Sequence, residues 1–427
     1  MTIDDWLDMV QVSRPLLTPD GHRVLYSRQV SNWEDNRVET TWWLSDATEG
    51  PGRPFLRTEA RDVQMSPDGR LVSFIRGQDG EDQVFLMSLS GGEAWPLTEH
   101  ETDIRSHEWS GDGRFIVFLA PEPRDEEDPD PDAGDDAVLV DEGPNTRTLG
   151  RWQNLWRVDV EAGGSERLTD ADLHIFEYEV SPTGDRASFV GRASGDRNDI
   201  DHNEIYLVAA GDGEVRRLTD DRAVQDMLRW APEGDRLAFK ADDERTWTAK
   251  RDRLWVLDLP TGEIEPVSEA FTEGRINQFW WGPEGDRLIL QALVRTDTNL
   301  FEVLLESGEI EQRTHAVGTL AVASFSRDLS RIAFTFQDHG TPPDIYVAGT
   351  TSPPASTDAS LPETAVRLTQ ANPWVESELS LASMEVIRWV SEDGLEVEGL
   401  LHTPPQSEAG PLPLMLHIHG GPAGFFN

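Results

Sequence analysis

LTPDGHRVLYSR at residues 17–28 sets a pattern that returns along the chain. It recurs as MSPDGRLVSFIR at 65–76, WSGDGRFIVFLA at 109–120, VSPTGDRASFVG at 180–191, WAPEGDRLAFKA at 230–241, WGPEGDRLILQA at 281–292 and FSRDLSRIAFTF at 325–336. Each copy opens on a small residue, turns through an acidic or glycine dipeptide, and then alternates apolar with other residues. Asp-Gly and Glu-Gly tolerate the positive φ of a tight turn, and a proline just before fixes its own φ in advance. Period-two alternation after the turn marks a strand, so each copy reads as a hairpin. A second apolar run follows, then a glycine-rich turn, then a short segment often ending in Leu-Thr, as in Val84 to Thr98, Leu155 to Thr169 and Ile205 to Thr219. Each repeat therefore holds four strands.

From Thr18 to its last counterpart Ser326 the spacing averages about 51 residues per repeat, close to the ~40 to 50 of propeller blades. The expected fold is all-β: a seven-bladed β-propeller over 12–369, after an N-terminal extension at 1–11. The blades are expected at 12–58, 61–98, 104–169, 174–219, 225–268, 276–314 and 320–369. Closing the ring hides sheet edges that isolated four-stranded sheets would expose. In this phasing the first blade owns four strands, so the ring closes without a strand borrowed from the far end.

Composition limits the function. The formal net charge of −43 from 37 basic and 80 acidic side chains argues against a nucleic-acid reader. Apolar runs such as Leu412 to Ile418 fall far short of the ~18 residues that span a bilayer. The first ten residues carry Asp4, Asp5 and Asp8 and no basic side chain, unlike a secretory signal, so a cytoplasmic location is expected. With no cysteine there is no disulfide, thiolate ligand or cysteine nucleophile. The only lysines are Lys240 and Lys250. Dense carboxylate with arginine as the cation suggests adaptation to salt, which screens such repulsion.

Other features have ordinary readings. The stretch PEPRDEEDPDPDAGDDAVLVDEG from Pro121 lacks the Asp-x-Asp-x-Asp-Gly spacing of a calcium loop and reads as a solvated excursion. TSPPASTDASLPET from Thr351 reads likewise. His107, His174 and His202 fall on different repeats and are expected at the surface or in loops. Trp230, Trp280 and Trp281 are expected to pack between blades rather than to cage a substrate. No metal or cofactor motif is present.

After a linker at 370–382 the pattern changes. Met384 to Val390 and Leu395 to His402 flank Glu392-Asp393-Gly394, which reads as a hairpin turn, and Leu412 to His419 is an apolar run of the kind found in the middle of a sheet. That run leads into His419-Gly420-Gly421-Pro422. A repeat ring followed by EVIRWVSEDGLEVEGLLHTPP and LMLHIHGGPAG resembles the prolyl oligopeptidase (S9) family of serine peptidases, in its acylaminoacyl-peptidase and dipeptidyl-aminopeptidase-like branch. The resemblance covers the whole chain. It implies that 383–427 begin an α/β-hydrolase domain, left incomplete here, beneath a propeller that gates access for short peptides. It also implies an oxyanion-hole donor at Gly421, with Gly420 beside it and His419 and Pro422 completing the loop motif. A glycine suits that place because a β-carbon would obstruct an N–H that must come within about 3 Å of the oxyanion.

The family's catalytic serine needs a Gly-x-Ser-x-Gly elbow, and no such pentapeptide occurs in the sequence. The family's triad follows the HGGP loop by a long stretch, and only Ala423 to Asn427 follow it here, so no catalytic triad residue is assigned. The expectation is a gating and oxyanion-loop portion of a peptidase, inactive by itself. A stand-alone binding propeller and one half of a split enzyme, with the hydrolase portion as its partner, are the alternatives. His417 and His419 lie on one side of a strand, but two ligands are too few for a zinc site.

Overall fold

The turn that opens a repeat is closed by its own side chains. In the computed structural model the hydroxyls of Thr18, Ser66, Ser110, Ser181 and Ser326 donate to Asp20, Asp68, Asp112, Asp185 and Asp328 at 2.5 to 2.8 Å. The same hydroxyls accept the N–H groups of Arg23, Leu71, Phe115, Arg186 and Arg331 at 2.9 to 3.0 Å. The chain is thereby reversed into the next strand. The Ser330 hydroxyl and backbone N–H, with the Ser326 hydroxyl behind them, hold the Asp328 carboxyl down at about 2. The hydroxyl that ends a repeat has a matching task. Thr98, Thr169, Thr219, Ser268, Thr314 and Thr369 accept the N–H of Val84, Leu155, Ile205, Leu254, Leu300 and Ile345 at 2.8 to 3.0 Å, fastening the last segment to the third strand.

The structure describes residues 2–57, 59–123, 152–194, 197–211, 213–221, 223–242, 252–272, 274–350, 365–405, 410–418 and 420. Most of the acidic stretch from Pro121 and all of the stretch from Thr351 to Thr364 lie outside them. Among the described residues helix is confined to short turns, among them Ile3–Leu7 and Pro373–Glu378. Most strands are antiparallel and arranged as four-stranded meanders in chain order, linked by turns and loops.

The first meander is Gln11–Leu17, Arg23–Asn32, Arg37–Asp46 and Glu49–Leu56, and the second is Arg61–Met65, Leu71–Gln78, Glu81–Ser88 and Trp95–Pro96. The third runs from Ser106–Trp109 through Phe115–Pro121 and Gln153–Asp159 to Ser165–Arg167. The fourth begins at His174–Val180 and the fifth at Gln225–Trp230. Two further meanders, beginning at Arg275–Trp281 and Thr319–Phe325, are joined by one parallel pairing, Thr298 with Thr319, into a single eight-stranded sheet.

Apolar side chains are buried between meanders. Leu25, Trp42 and Leu44 of the first pack with Val72, Phe74 and Phe85 of the second. Ile75, Val84 and Leu86 of the second pack with Trp109, Ile116 and Phe118 of the third. The pattern continues to the far end, where Ala333, Ile345 and Val347 pack against Val12, Leu17, Val24 and Tyr26 of the first meander. Each fully buried Val, Leu or Phe contributes about 1.5–3 kcal/mol. Trp230 and Trp281 lie in such clusters, and Trp280 meets Phe325 edge-on at 4.8 Å, so all three pack between meanders.

Arginines after the turns fasten neighbours together. Arg186 donates to the Gly234 carbonyl at 2.7 Å and lies over the Trp230 ring. Arg236 repeats this with Gly285 at 2.9 Å and Trp281. Arg331 reaches Gly21 in the first meander.

Beyond these meanders, Ser383–Val390 and Glu396–Thr403 pair antiparallel around a turn in which Gly394 has φ of 88°. Arg295 holds this hairpin to the rest through Glu396 and Glu398, both at 3.1 Å. The expected third strand does not form. Residues 411–418 have no strand assignment, and Leu412, Leu414, Met415, Leu416 and Ile418 are exposed, Met415 to 91%. A strand needs neighbours to take its backbone groups, and the two-stranded sheet offers this run no pairing among the described residues.

Candidate functional site

Of the HGGP loop, His419, Gly421 and Pro422 lie outside the described residues. Gly420 is described and exposed, and an added β-carbon there would meet nothing within 4 Å. His417 is exposed. Among the described residues no three His, Asp or Glu side chains are grouped to hold a metal ion.

Chemistry-bearing side chains do gather on the first strands of the meanders, which approach one another from one meander to the next. Most of these strands carry a bulge, for example between Ser13 and Leu16, Arg61 and Gln64, and Asp226 and Arg229. Arg14, Asp62 and Met227 adopt positive φ there. A bulge re-aims the side chains beside it. At the fourth and fifth meanders Glu177 accepts the N–H groups of Met227 at 2.9 Å and Leu228 at 2.6 Å. Glu179 pairs with Arg229 at 3.0 Å. The Trp230 indole donates to the Glu179 carbonyl, and the Trp281 indole to the Arg229 carbonyl. Burial raises the Glu177 carboxyl, with only partial relief from those N–H groups and Arg229. The Glu179 charge beside it raises Arg229. Burial lifts the Tyr178 hydroxyl well above its ordinary value; it accepts from Ser106 at 3.1 Å.

A second constellation has the contact order of a catalytic triad. Ser73 Oγ lies 2.7 Å from His107 Nε2, and His107 Nδ1 lies 3.0 Å from Asp62 Oδ2. Its surroundings are those of a packing clamp. Ser73 is fully buried and His107 is 2% exposed. Ser73 Oγ also accepts the Trp109 indole N–H at 2.7 Å, and Asp62 accepts the His107 backbone N–H at 2.8 Å. Burial raises the Asp62 carboxyl, but hydrogen bonds and charge from His107 outweigh it and leave the group below its ordinary value. An acyl-transfer serine must meet a substrate carbonyl and oxyanion donors, whereas this one is sealed between the second and third meanders.

The expectation that His107 is superficial is therefore corrected. His174 is half-buried and lies against the rings of Trp152 and Phe176, and His202 remains largely open. The clamp escapes a reading by spacing because its members come from three strands and two repeats.

A separate cleft of about 520 Å³ is lined by Thr98, His100, Glu101 and Trp156 among others. Burial lowers the His100 imidazole's proton affinity.

No family model matches the chain. It is 25% identical over 444 residues to an uncharacterized peptidase of Bacillus subtilis, YuxL, covering 99% of this chain and 66% of the relative. The chain thus spans about two thirds of the length of that curated relative. In structure it is similar to an acylaminoacyl peptidase solved with Z-Gly-Gly-Phe-chloromethyl ketone, with a TM-score of 0.75 at 18% identity over 99% of this chain and 62% of the other. It is also similar to the β-propeller domain of the Trilobed protease from Pyrococcus furiosus, described as having an open velcro topology. There the TM-score is 0.59 at 14% identity, over 85% of this chain and 99% of that one. The mostly-strand architecture matches these propeller-containing neighbours, and the relative and the neighbours are described as a peptidase, a peptidase and a protease domain.

Proposed function

We propose that the four-stranded meanders are the blades of a seven-bladed β-propeller over 12–369, and that 383–427 are the opening strands of an α/β-hydrolase domain. Together they form the gating and oxyanion-loop part of a serine peptidase for short peptides of acylaminoacyl or dipeptidyl type. The observation that carries the reading is the relation to a peptidase along 99% of this chain. The packing of the last meander on the first supports a ring, and the order hairpin, apolar run, HGGP supports the hydrolase assignment.

In this reading peptides reach the nucleophile through the ring and the space beneath it. The serine attacks the scissile carbonyl, and the Gly421 N–H, with Gly420 giving it room, takes part of the charge on the oxyanion. One such donor lowers the barrier by on the order of 3 kcal/mol. The serine and its general base lie outside these 427 residues, so the chain by itself turns over no peptide.

The test is an assay of the purified chain with acyl-amino-acid and dipeptide anilides, paired with reading the DNA immediately downstream. Expected are no turnover above background, a downstream segment encoding Gly-x-Ser-x-Gly, and activity once that segment is supplied. Turnover by the chain alone, or no activity with the segment present, contradicts the proposal.

A further inference from the structure

The chain leaves the meanders at a firm point and meets them again at a weak one. Asn372 is buried and exchanges hydrogen bonds with Val10, Val375 is buried, and Arg367 of the seventh meander pairs with Glu376. The short helix Pro373–Glu378 is thereby fixed to the first and seventh meanders. Residues 379–382 then run without helix or strand into the hairpin Ser383–Val390 and Glu396–Thr403. No residue of that hairpin is buried, and none belongs to the apolar clusters between meanders.

Among the described residues, Arg295 makes the only hydrogen bonds and ion pairs between the hairpin and the meanders. It stands in the two-residue turn between Arg287–Val294 and Asp297–Leu304 of the sixth meander, at φ of 59°. The left-handed region disfavours a residue with a β-carbon, and strain of this kind gathers where function over-determines a local geometry. Arg295 Nη1 lies 3.1 Å from Glu396 Oε1 and 3.1 Å from Glu398 Oε2. Arg388, within the hairpin, reaches the same Glu398 oxygen at 2.8 Å.

The charges at this junction are finely matched. Burial raises the Glu398 carboxyl, but the two arginines outweigh it and leave the group below its ordinary value. Asp297 accepts the Gly318 N–H at 2.8 Å, and burial raises its carboxyl, with the Glu398 charge adding to the rise. Without Arg295, Asp297 is left to repel the hairpin, because Arg388 travels with the hairpin and cannot bridge to the meander.

We propose that the hairpin is hinged at 379–382 and latched to the sixth meander by Arg295, and that concentrated salt releases the latch while the seams between meanders stay closed. The two kinds of joint answer differently to ions. The seams rest on buried apolar side chains and neutral hydrogen bonds, which ionic screening leaves in place. The latch is an open ion pair, with 43% of the Arg295 and 53% of the Glu396 side chain exposed, and such pairs hold weakly and are screened by salt. Once attraction and repulsion are both screened, nothing buried remains to fix the hairpin, and it swings about 379–382. The latch stands on this geometry alone. Under the peptidase reading it also sets the position from which the chain runs on to Gly421, and that consequence rests on that reading.

The sequence has no cysteine, so spin labels can be placed on introduced pairs without background. Glu306→Cys with Glu392→Cys puts one label on the sixth meander and one on the hairpin turn, whereas Glu265→Cys with Glu306→Cys puts both on meanders; all three positions are exposed. Distances are read by pulsed electron paramagnetic resonance in dilute buffer and in molar KCl. Expected for the hairpin pair is one narrow distribution in dilute buffer that broadens in molar KCl, and a broad distribution at both salt levels once Arg295→Gln is added. The meander pair stays narrow throughout, which also shows that the Arg295→Gln protein is folded. A hairpin distribution that is the same with and without Arg295 overturns the proposal, as does one that stays narrow in molar KCl. Broadening of both pairs together would mean that salt or the substitution acts on the whole fold, and overturns it too.

Discussion

Arg331 of the last meander donates to two carbonyls of the first, Gly21 through Nη1 and Ala47 through Nη2 at 3.2 Å. The same seam carries a reciprocal pair, with the Val10 N–H donating to Asn372 Oδ1 at 2.9 Å and Asn372 Nδ2 donating to the Val10 carbonyl at 2.7 Å. Asn372 is buried. Two segments more than 300 residues apart in sequence are thus joined by side-chain hydrogen bonds as well as by apolar packing.

The seam is therefore a point of high leverage on stability. Asn372→Ala removes both of its hydrogen bonds and leaves half-buried backbone groups of Val10 without these partners, at a cost of about 1–3 kcal/mol. Arg331→Ala is expected to cost a similar amount, while Arg70→Ala on an open turn is expected to stay within about 0.5 kcal/mol. Urea denaturation midpoints of the three variants check the ranking, and equal midpoints would contradict it.

Ser73→Ala separates a packing clamp from a hidden catalytic centre. His107 and Trp109 each lose a buried partner, so unfolding becomes easier by about 1–3 kcal/mol. Any esterase background in the preparation stays the same. A background abolished by the substitution, with stability intact, would mean that the Ser73 hydroxyl reacts.

Leu329 stands at φ of 54° in the seventh turn, where every earlier repeat places a glycine. The left-handed region costs a residue with a β-carbon roughly 1–2 kcal/mol, partly offset in a glycine by greater freedom of the unfolded chain. Leu329→Gly is expected to raise stability by roughly 0.5–1 kcal/mol. Calorimetry showing a loss above that amount would place the Leu329 side chain's packing ahead of backbone strain.

Salt acts on the whole surface. At a net charge of −43, moving from dilute buffer to molar KCl shortens the Debye length to about 3 Å and screens the mutual repulsion of carboxylates. The melting temperature should rise accordingly. An unchanged value would show that local pairs such as Arg367 with Asp344 already neutralise the surface where it matters.

What could be read in advance follows a physical divide. The turn at Thr18-Pro19-Asp20-Gly21 and the closing Leu-Thr were legible because a local hydrogen-bond pattern dictates both, and local patterns leave a signature at fixed spacing. The hairpin around Asp393-Gly394 was legible for the same reason. Glu179 with Arg229, and Ser73 with His107, were not: their partners lie on different meanders, and nothing in either neighbourhood encodes the other. The run from Leu412 to His419 has the composition of a buried strand, yet its described part lies exposed, because a strand is completed by neighbours and not by its own residues. The HGGP motif is legible as a motif, and its oxyanion role is carried by the family resemblance.

The most direct test of the central claim, that this chain supplies the gate and the oxyanion loop but not the nucleophile, is labelling with a fluorophosphonate probe read out by peptide mass spectrometry. The account predicts no modified serine anywhere in the 427 residues, Ser73 included, and a single modified serine in the downstream Gly-x-Ser-x-Gly segment when that is joined to the chain. A stoichiometrically labelled serine within these residues would contradict it.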